Sequence, residues 1–359
     1  MKQVVVGLSG GVDSAAAALL LQEAGYEVLG VMLRLEAGEA ENSCCNTAAQ
    51  ARAAEVARRL GIPFVVVGAE EAFRRAVIEP YLLDHARGRT PNPCARCNPF
   101  VKFEELLRLA ERVGAERIAT GHYVRREGTR VLRGLDARKD QSYFLWAVPG
   151  EVFQRSLFPL GALKKPEVRR LAEEAGLAVA KTPESQNLCF VQNDPAGFLR
   201  AHLDARPGPV VDVETGEVVG QHRGAALYTV GQKRGLGLFK SHLERYVVRV
   251  DVERNVVYVG PREAATWWGL KAGAPNYLKD LAVLPDRVLV QVRHRARPVP
   301  ARVVEADEKG FELRFEEPVF AVTPGQSAVL YREDELLGGG VIGRALESLR
   351  ETPAASAAG

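Results

Sequence analysis

The chain has 359 residues and a net charge of +3, and it is 47% hydrophobic and 26% charged, as in soluble globular proteins with two or three domains. It has no signal peptide and no apolar stretch of roughly 20 residues, so we expect a cytoplasmic protein without a membrane span. The odd number of cysteines, five, indicates reactive or metal-binding thiols rather than a disulfide framework, and the small net charge neither requires nor excludes a nucleic-acid partner.

Strand and helix signals alternate over the first half of the chain. Short apolar runs predict strands at Val4–Leu8, Val28–Leu35, Phe64–Gly68 and Arg117–Gly121. The runs between and after them predict helices at Asp13–Ala24, Thr47–Leu60, Glu70–His85, Lys102–Val113 and Pro166–Ala175. Such alternation predicts an α/β fold with a doubly wound parallel sheet, whose ligands lie at the carboxyl ends of the strands.

The sequence changes character near Arg206-Pro-Gly-Pro, where alternating β patterns replace helical ones. Tyr246-Val-Val-Arg-Val-Asp-Val and Val288-Leu-Val-Gln-Val-Arg are typical of strands separated by turns. We therefore predict a first domain over residues 1–203, two small β-barrel domains over 204–276 and 277–350, and a disordered tail over 351–359.

Ser9-Gly-Gly-Val-Asp-Ser14 stands between the first predicted strand and the first predicted helix. Glycines let the backbone bring N–H groups close to a ligand, and the helix N-terminus adds partial positive charge, so the turn favours phosphate. It is not a Walker A loop, because that pattern and its lysine are absent. Asp13 suits Mg²⁺ beside phosphates, and the alternative is an acidic residue that only complements the helix dipole.

Three of the cysteines lie in polar segments rather than in apolar periodic runs. Cys94 and Cys97 precede a predicted helix and have basic neighbours, which should lower the pKa of a thiol. Cys189 lies in another polar loop, so we expect all three to be reactive, with structural cysteines as the alternative. Cys44 and Cys45 are adjacent and are expected to pack inside or to lie at the surface.

Basic residues cluster in two places that could contact RNA phosphates. The segment Arg287–Arg302 contains five arginines and a histidine without any acidic residue. A second group consists of Lys164, Lys165, Arg169 and Arg170. The alternative for both groups is an ordinary solvated basic surface.

Several motifs, taken in order, carry a resemblance to known enzymes. Gly7–Ser14 resembles the pyrophosphatase loop of the ATP-pyrophosphatase superfamily, which adenylates an oxygen of a substrate and releases pyrophosphate. The motifs after it are Thr90-Pro-Asn-Pro, Cys97-Asn, Gly121-His-Tyr, Lys139-Asp-Gln-Ser-Tyr-Phe-Leu, Ser185-Gln-Asn-Leu-Cys-Phe and Gly231-Gln-Lys-Arg-Gly-Leu-Gly. Together they resemble the bacterial tRNA-specific 2-thiouridylase family over residues 3–348. That resemblance implies an enzyme that puts sulfur on C2 of the wobble uridine of tRNA.

The resemblance implies a role for each matching residue. Cys189 would carry a persulfide sulfur, and Cys97 would resolve the persulfide through a transient disulfide with Cys189. ATP would be bound by Gly7, Leu8, Ser9, Gly10, Gly11, Val12, Asp13, Ser14 and Met32, with Gly121 beside the adenosine. The residues Asn92, Pro93 and Cys94 would border the target base, and the other tRNA contacts would be His122, Lys139, Asp140, Gln141, Arg293, His294 and Gln326.

Cofactors and partners follow from the same resemblance. ATP and Mg²⁺ are the expected cofactors, with Asp13 as the expected protein ligand of Mg²⁺. The expected partners are tRNAs of the lysine, glutamate and glutamine type, and a sulfur donor such as a cysteine desulfurase or a sulfur-relay protein. We expect a monomer that binds no membrane.

One position departs from the family pattern and keeps a second mechanism open. Cys94 stands where well-known members have an aspartate, which puts a general base at this position in doubt. The thiols of Cys94, Cys97 and Cys189 could instead hold an iron–sulfur cluster with one iron open for sulfide, although the persulfide route is favoured. The other functions considered are a small-molecule ligase of the same superfamily, which needs no cysteine, and an RNA-binding protein without catalysis.

Overall fold

The computed structural model describes residues 2–35, 47–183, 188–191, 194–240 and 244–347. Four parts of the predictions lie outside these residues: Cys44, Cys45, the stretch 185–187 and the tail over 351–359. Within the described ranges, no helix has both the length and the apolar character needed to cross a membrane.

The elements are numbered along the chain. The strands are β1 (Gln3–Gly7), β2 (Glu27–Arg34), β3 (Phe64–Gly68), β4 (Arg117–Ala119), β5 (Val124–Glu127), β6 (Arg130–Arg133), β7 (Ser156–Leu157), β8 (Gly208–Asp212), β9 (Val218–His222), β10 (Tyr246–Asp251), β11 (Val256–Gly260), β12 (Thr266–Tyr277), β13 (Arg287–Gln291), β14 (Val299–Ala306), β15 (Gly310–Phe320), β16 (Ser327–Arg332) and β17 (Glu335–Leu346). The α-helices are α1 (Val12–Glu23), α2 (Thr47–Leu60), α3 (Glu70–Phe73), α4 (Glu79–Ala86), α5 (Pro93–Cys97), α6 (Glu104–Val113), α7 (Ser142–Leu145), α8 (Gly150–Arg155), α9 (Lys165–Glu174) and α10 (Pro195–His202).

A parallel sheet with strand order β3-β2-β1-β4-β7 forms the N-terminal domain. Val5 packs on one face against α6, whereas Val4 and Val6 pack on the other face with residues of α1 and α2. All three valines are fully buried, which explains the continuous apolar run in the sequence. The prediction of a doubly wound sheet is confirmed. The strand order reverses direction between β1 and β4, so a crevice opens there at the carboxyl ends of the strands.

The helix that carries two of the cysteines begins earlier than the predicted start at Lys102. It begins with α5 and continues through a π-helical segment, Asn98–Phe103, into α6. The side chain of Asn92 caps its N-terminus by accepting from the backbone N–H of Ala95 at 3.4 Å, and Pro93 occupies the first turn, where a missing N–H costs nothing. Cys94 and Cys97 therefore lie within the helix, and their predicted place in a loop before it was wrong.

Six strands of the C-terminal region close into a barrel. The order is β12-β15-β14-β13-β16-β17, and β12 pairs with β17 as well as with β15, so the sheet closes on itself. The interior contains fully buried aliphatic side chains such as Leu270, Val290, Leu313 and Ile342. This confirms the predicted C-terminal barrel. Because β12 pairs only into this barrel among the described strands, strand pairing puts Thr266–Tyr277 with the C-terminal domain, across the predicted boundary at 276.

A smaller sheet and a hairpin connect the N-terminal domain with the barrel. The central sheet has the order β10-β11-β8-β9 and a core that includes Val210, Val247 and Val257. The hairpin β5–β6 leaves the N-terminal domain and joins the barrel sheet, where Leu132 pairs with Glu335. The hairpin thus joins the N-terminal domain to the barrel by backbone pairing.

Candidate active site

The loop after β1 is closed on itself by the hydroxyl of Ser14. The Ser14 hydroxyl donates to the carbonyl of Gly11 at 3.0 Å, and the backbone N–H of Ser9 donates to Ser14 Oγ at 3.1 Å. Ser14 is buried, whereas Ser9 is exposed at the crevice. These hydrogen bonds fix the shape of the loop, which suits a cradle for phosphate.

Helix α2 packs directly on this loop and explains one of its glycines. Gly10 has a φ of +73°, and a Cβ there would overlap the carbonyl oxygen of Ala49 in α2. Arg52, also in α2, donates from Nε to the carbonyl oxygen of Gly10 at 3.1 Å. No larger residue fits at position 10 without moving α2 or the loop.

Gly121 brings the end of β4 against the same loop. A Cβ on Gly121 would lie 2.7 Å from the carbonyl carbon of Asp13 and 2.8 Å from the backbone nitrogen of Ser14. Glycine is therefore required for this close approach. The prediction that Gly121 lies near the ATP loop fits this position, and its contact with adenosine stays a prediction.

Asp13, the predicted Mg²⁺ ligand, forms an ion pair with a buried lysine. Both carboxylate oxygens accept from Lys165 Nζ, at 2.6 and 2.8 Å, and the Tyr123 hydroxyl donates to Oδ1 at 2.7 Å. Lys165 is 7% exposed and comes from the start of α9. The side chain of Asp13 is 35% exposed, so it also remains open to the crevice.

The predicted basic surface around α9 was wrong for two of its four residues. Lys165 faces the loop rather than solvent, and Arg169 donates to the backbone carbonyls of Ala180 and Thr182. These two side chains point into the N-terminal domain because α9 packs against α1, with Val168 and Ala172 in the shared core.

Two of the predicted reactive cysteines lie in one apolar cluster. Cys97 is 4% exposed and packs with Leu35, Ala69 and Phe190, and the partly buried Cys189 packs against the same cluster. Leu35 directly follows β2 and Ala69 directly follows β3, so the cluster lies at the carboxyl edge of the parallel sheet. The loop Gly7–Ser14 after β1 lies at that edge too. Cysteines 92 positions apart in sequence (189 − 97) are thus brought to the same side of the sheet as the loop.

An aromatic pocket holds the residue next to Cys189. The ring of Phe190 makes edge-on contacts with Phe73, Tyr81 and Phe198, at centroid distances of 5.8, 5.2 and 5.4 Å. Burial raises the pKa of Tyr81 to about 12, so its phenol stays neutral and the pocket stays apolar. The Cys189 loop is therefore anchored by its neighbouring phenylalanine.

An iron–sulfur cluster does not fit the cysteines as they are arranged. Within the residues that the structure describes, which include Cys94, Cys97 and Cys189, no three histidine, cysteine or acidic side chains are grouped to hold a metal ion. Three thiolates must converge on one cluster in the predicted alternative. We therefore derive no step through such a cluster.

The segment Thr90–Pro93, which we call the strap, lies where the three domains meet. Thr90 donates from its backbone N–H to the carbonyl of Pro324 at 2.9 Å and from its hydroxyl to Thr229 Oγ1 at 3.1 Å. Gln326 donates from Nε2 to the carbonyl of Thr90 at 2.8 Å and to that of Pro91 at 3.2 Å. The strap leads directly into α5, so these contacts position the helix that carries Cys97.

Two residues predicted to contact tRNA are engaged at this junction. Gln326 holds the strap, and Arg293 donates to the Val230 carbonyl and to Thr323 Oγ1, each at 2.6 Å. Burial lowers the pKa of the Arg293 guanidinium. The side chain of Arg293 thus bridges the central sheet and the barrel, and a direct contact with tRNA stays a prediction for both residues.

Three further predicted tRNA contacts surround the hairpin β5–β6. The Asp140 carboxylate accepts from Gly134 N, Ser142 N, Ser142 Oγ and Arg133 Nη1 at 2.8–3.3 Å. Gln141 accepts from the backbone N–H of Tyr123 at 3.0 Å. Their side chains thus hold the motif in shape, while the neighbouring Lys139 is partly exposed.

The remaining predicted site residues lie in three different surroundings. The ring of His122 stacks on Phe103 at 6.0 Å, and burial, together with the charge of Lys102, lowers the pKa of His122 to about 3. It is therefore neutral near pH 7 and offers no positive charge to a phosphate. His294 contacts the Phe144 ring at 4.3 Å, and Met32, 2% exposed, packs inside the sheet core.

Two residues of the site were missed by sequence reasoning. Lys165 was assigned to a surface group, and Tyr123 was part of a motif without a role of its own. Only the three-dimensional packing of α9 and of the end of β4 on the loop brings both to Asp13. No local signal distinguishes Lys165 from its exposed neighbour Lys164.

The chain matches three family models in succession. They are described as a tRNA methyl transferase HUP domain over residues 2–193, a tRNA methyl transferase PRC-barrel domain over 196–261 and an aminomethyltransferase β-barrel domain over 267–342. These ranges agree with the three sheets, including the place of β12 in the last one.

Curated relatives carry a different activity in their names. A protein named tRNA-specific 2-thiouridylase MnmA from Thermus thermophilus is 59% identical over an alignment of 360 positions that covers 97% of this chain and 97% of its own. One of the same name from Deinococcus radiodurans is 48% identical over 98% of this chain and 94% of its own. A solved structure, the U34-tRNA thiolase NcsA from Methanococcus maripaludis with its [4Fe-4S] cluster, aligns with 52% of this chain and 60% of its own, at 22% identity and a TM-score of 0.36.

Gly10→Ala tests the shape of the loop. We expect it to weaken ATP binding by about tenfold or more, because the new methyl group displaces either the loop or α2. Gly25→Ala is the matched control, since Gly25 also has a positive φ, +82°, but has open space around its Cβ position. Calorimetric titration of both variants with ATP checks this, and equal affinities in the two variants would contradict it.

Gln326→Ala tests whether this side chain holds the strap. We expect the free energy of unfolding to fall by about 1–3 kcal/mol, because two backbone carbonyls lose their donor. Gln3→Ala, which removes an exposed hydrogen bond to Glu27, should change it by less than about 0.5 kcal/mol. Urea unfolding measures both. A Gln326→Ala protein of unchanged stability that binds tRNA weakly would instead assign the side chain to RNA.

Proposed function

Because this chain belongs to the family of tRNA-specific 2-thiouridylases, we propose that it transfers sulfur to C2 of the wobble uridine of tRNA in an ATP-dependent reaction. The products are 2-thiouridine, AMP and pyrophosphate. The identity to relatives of that name extends over nearly the whole chain, whereas the descriptions of the family models mention methyl transfer. Cys97 and Cys189 lie at the same edge of the parallel sheet as the ATP loop, which suits sulfur transfer.

The observation that carries the proposal is the joint position of Cys97 and Cys189. Both pack in one apolar cluster at the carboxyl edge of the sheet, where the loop Gly7–Ser14 also lies. A ligase for small molecules needs ATP at this edge and no thiol. A pair of cysteines there supports a reaction in which sulfur meets an activated carbonyl.

The first step activates the base. The C2 oxygen of uridine is a poor leaving group, so it first attacks the α-phosphorus of ATP, and pyrophosphate leaves. The backbone N–H groups of the loop and the hydroxyl of Ser9 bind the phosphates. Mg²⁺, when bound with ATP, would neutralise phosphate charge, and Asp13, whose side chain is 35% exposed, would be its protein ligand.

The second step forms the carbon–sulfur bond. The terminal sulfur of a Cys189 persulfide attacks C2, the C2–oxygen bond breaks, and AMP leaves with the former uridine oxygen. Cys97 then attacks Cys189 Sγ, so that 2-thiouridine leaves and a Cys97–Cys189 disulfide forms. Turnover requires a thiol reductant, which supplies two electrons, and a donor that restores the persulfide.

The partners follow from these steps. The substrate is tRNA with an unmodified wobble uridine, of the lysine, glutamate or glutamine type, and the persulfide comes from a cysteine desulfurase or a sulfur-relay protein. We place the protein in the cytoplasm and expect a monomer. Cys94 is partly exposed one helical turn before Cys97, and in this scheme it borders the base without an acid–base role.

Cysteine variants test the order of the sulfur steps. Cys189→Ser should lower formation of 2-thiouridine by about 10²-fold or more, because the persulfide carrier is lost. Cys97→Ser should instead accumulate tRNA joined to Cys189 through a disulfide, which a small thiol releases as thiolated tRNA. Cys94→Ser is the matched control and should retain activity within about threefold.

Mass spectrometry of tRNA nucleosides and of the intact protein measures these outcomes. The protein is purified anaerobically and incubated with unmodified tRNA, ATP, Mg²⁺ and a persulfide donor, and its iron content is determined. Thiolation that requires bound iron, or that is lost equally in all three variants, would contradict the persulfide route. Cleavage of ATP with a small amine or acid and none with tRNA would contradict the whole proposal.

A further inference from the structure

The residue after Cys97 buries an oxygen atom without a partner. Asn98 is 2% exposed, and its Nδ2 donates to the carbonyl oxygen of Phe144 at 3.0 Å. Its Oδ1 is buried as well, and none of the described residues donates a hydrogen bond to it. Because only the amide nitrogen can donate to a carbonyl, the contact with Phe144 fixes which way the amide faces. The free oxygen therefore has a set direction.

Such an oxygen needs an explanation. Proteins pair nearly all of their buried polar atoms, because an unpaired one has lost water without gaining a partner. Among the described residues, the other buried side-chain acceptor without a hydrogen bond is Glu335 Oε1, and it has Arg130 and Lys279 nitrogens within 3.5 Å. Asn98 is neutral and lacks a donor, which indicates a donor that arrives from outside the chain.

Asn98 lies beside the place where the proposed function puts the target base. Its backbone N–H donates to the carbonyl of Cys94, so the two residues are one helical turn apart on the same face. Cys94 is partly exposed and is one of the three residues expected to border the base. On the barrel side, the ring of Phe144 contacts the ring of His294 at 4.3 Å. Asn98 thus lies between the helix face expected to meet the base and two rings that lead to the barrel.

A uridine that leaves its stack offers one ring donor to such an oxygen. Its N1 carries the ribose, O2 and O4 only accept, and N3 carries a hydrogen. Enzymes that act on extruded bases recognise them by this edge. Cytidine has a lone pair at N3 instead, which repels a carbonyl oxygen. N3 is bonded to C2, so a hydrogen bond at N3 also holds the carbon that is to receive sulfur.

We propose that Asn98 Oδ1 accepts a hydrogen bond from N3–H of the target uridine, which selects uridine and positions its C2. This assignment rests on the proposed function, since it concerns the base that is thiolated. The Phe144 carbonyl is the partner that directs the amide. A neutral amide oxygen binds the N3 proton without removing it, so Asn98 is a binding residue and not a general base.

Binding of tRNA with an altered wobble base tests this role. The measurement uses α,β-methylene-ATP, from which pyrophosphate cannot leave. The wild type should bind tRNA with wobble 3-methyluridine or cytidine about 10- to 100-fold more weakly than tRNA with uridine, because N3–H is absent. Asn98→Ala should bind the uridine tRNA about 10- to 100-fold more weakly than the wild type does. It should bind all three tRNAs within about threefold of one another, since its methyl group accepts no hydrogen bond.

Asn276→Ala is the matched control. Asn276 Nδ2 also donates to backbone carbonyls near α7, those of Trp146 at 2.6 Å and Val148 at 3.0 Å. Both variants therefore remove an asparagine that holds this segment, yet Asn276→Ala should keep the wild-type preference for uridine. Circular dichroism checks that each variant is folded. If Asn98→Ala does not fold, Asn98→Ser is measured in its place, since it keeps a hydroxyl donor but is shorter.

Two kinds of result would overturn the assignment. A wild type without a preference for uridine would show that N3–H is not recognised. A preference that survives in Asn98→Ala, or that is lost equally in Asn276→Ala, would show that Oδ1 does not read the base.

The outcome is separable from that of the proposed function. A wild type that thiolates no tRNA contradicts the proposed function, yet the affinities for the three tRNAs still decide the role of Asn98. A wild type that thiolates tRNA, together with an Asn98→Ala variant of unchanged preference, overturns only the role of Asn98.

Discussion

The strap Thr90–Pro93 is the constraint on which the position of Cys97 depends. Its two prolines have no N–H and a fixed φ, so the segment is stiff, and only Thr90 and Asn92 can donate from its backbone. The barrel supplies hydrogen-bond partners for the strap. Gln326 donates to the carbonyls of Thr90 and Pro91, and the side-chain amide of Asn92 donates to Ser327 Oγ at 3.4 Å. The first turn of the cysteine-bearing helix is therefore positioned by a different domain from the one that binds ATP.

The ATP loop and the two cysteines are positioned by different parts of the structure, yet both lie at the carboxyl edge of the parallel sheet. The ATP loop is shaped by α1, α2 and the end of β4, all within the N-terminal domain. Cys97 depends on the strap and hence on the barrel, and Cys189 depends on an aromatic pocket around Phe190.

The sequence predicts the fold and the loop well because both are indicated by residues that lie close together in the sequence. Apolar runs, helix formers and the Ser-Gly-Gly-Val-Asp-Ser turn lie within a few residues of one another, and alternation alone gives a parallel sheet. The start of the Cys97 helix was placed nine residues too late (102 − 93), because the π-helical segment and its prolines obscure the helical pattern. Pairings such as Asp13 with Lys165, or Gln326 with Thr90, join residues more than a hundred positions apart and are set by packing. No spacing rule predicts them.

The central claim is that ATP converts the C2 oxygen of uridine into part of its leaving group. The most direct test uses tRNA that carries ¹⁸O at C2 of the wobble uridine, incubated with the protein, ATP, Mg²⁺ and a persulfide donor. We predict one ¹⁸O atom in the phosphate of AMP for each 2-thiouridine formed. Unlabelled AMP, or ¹⁸O in inorganic phosphate or water, would contradict it.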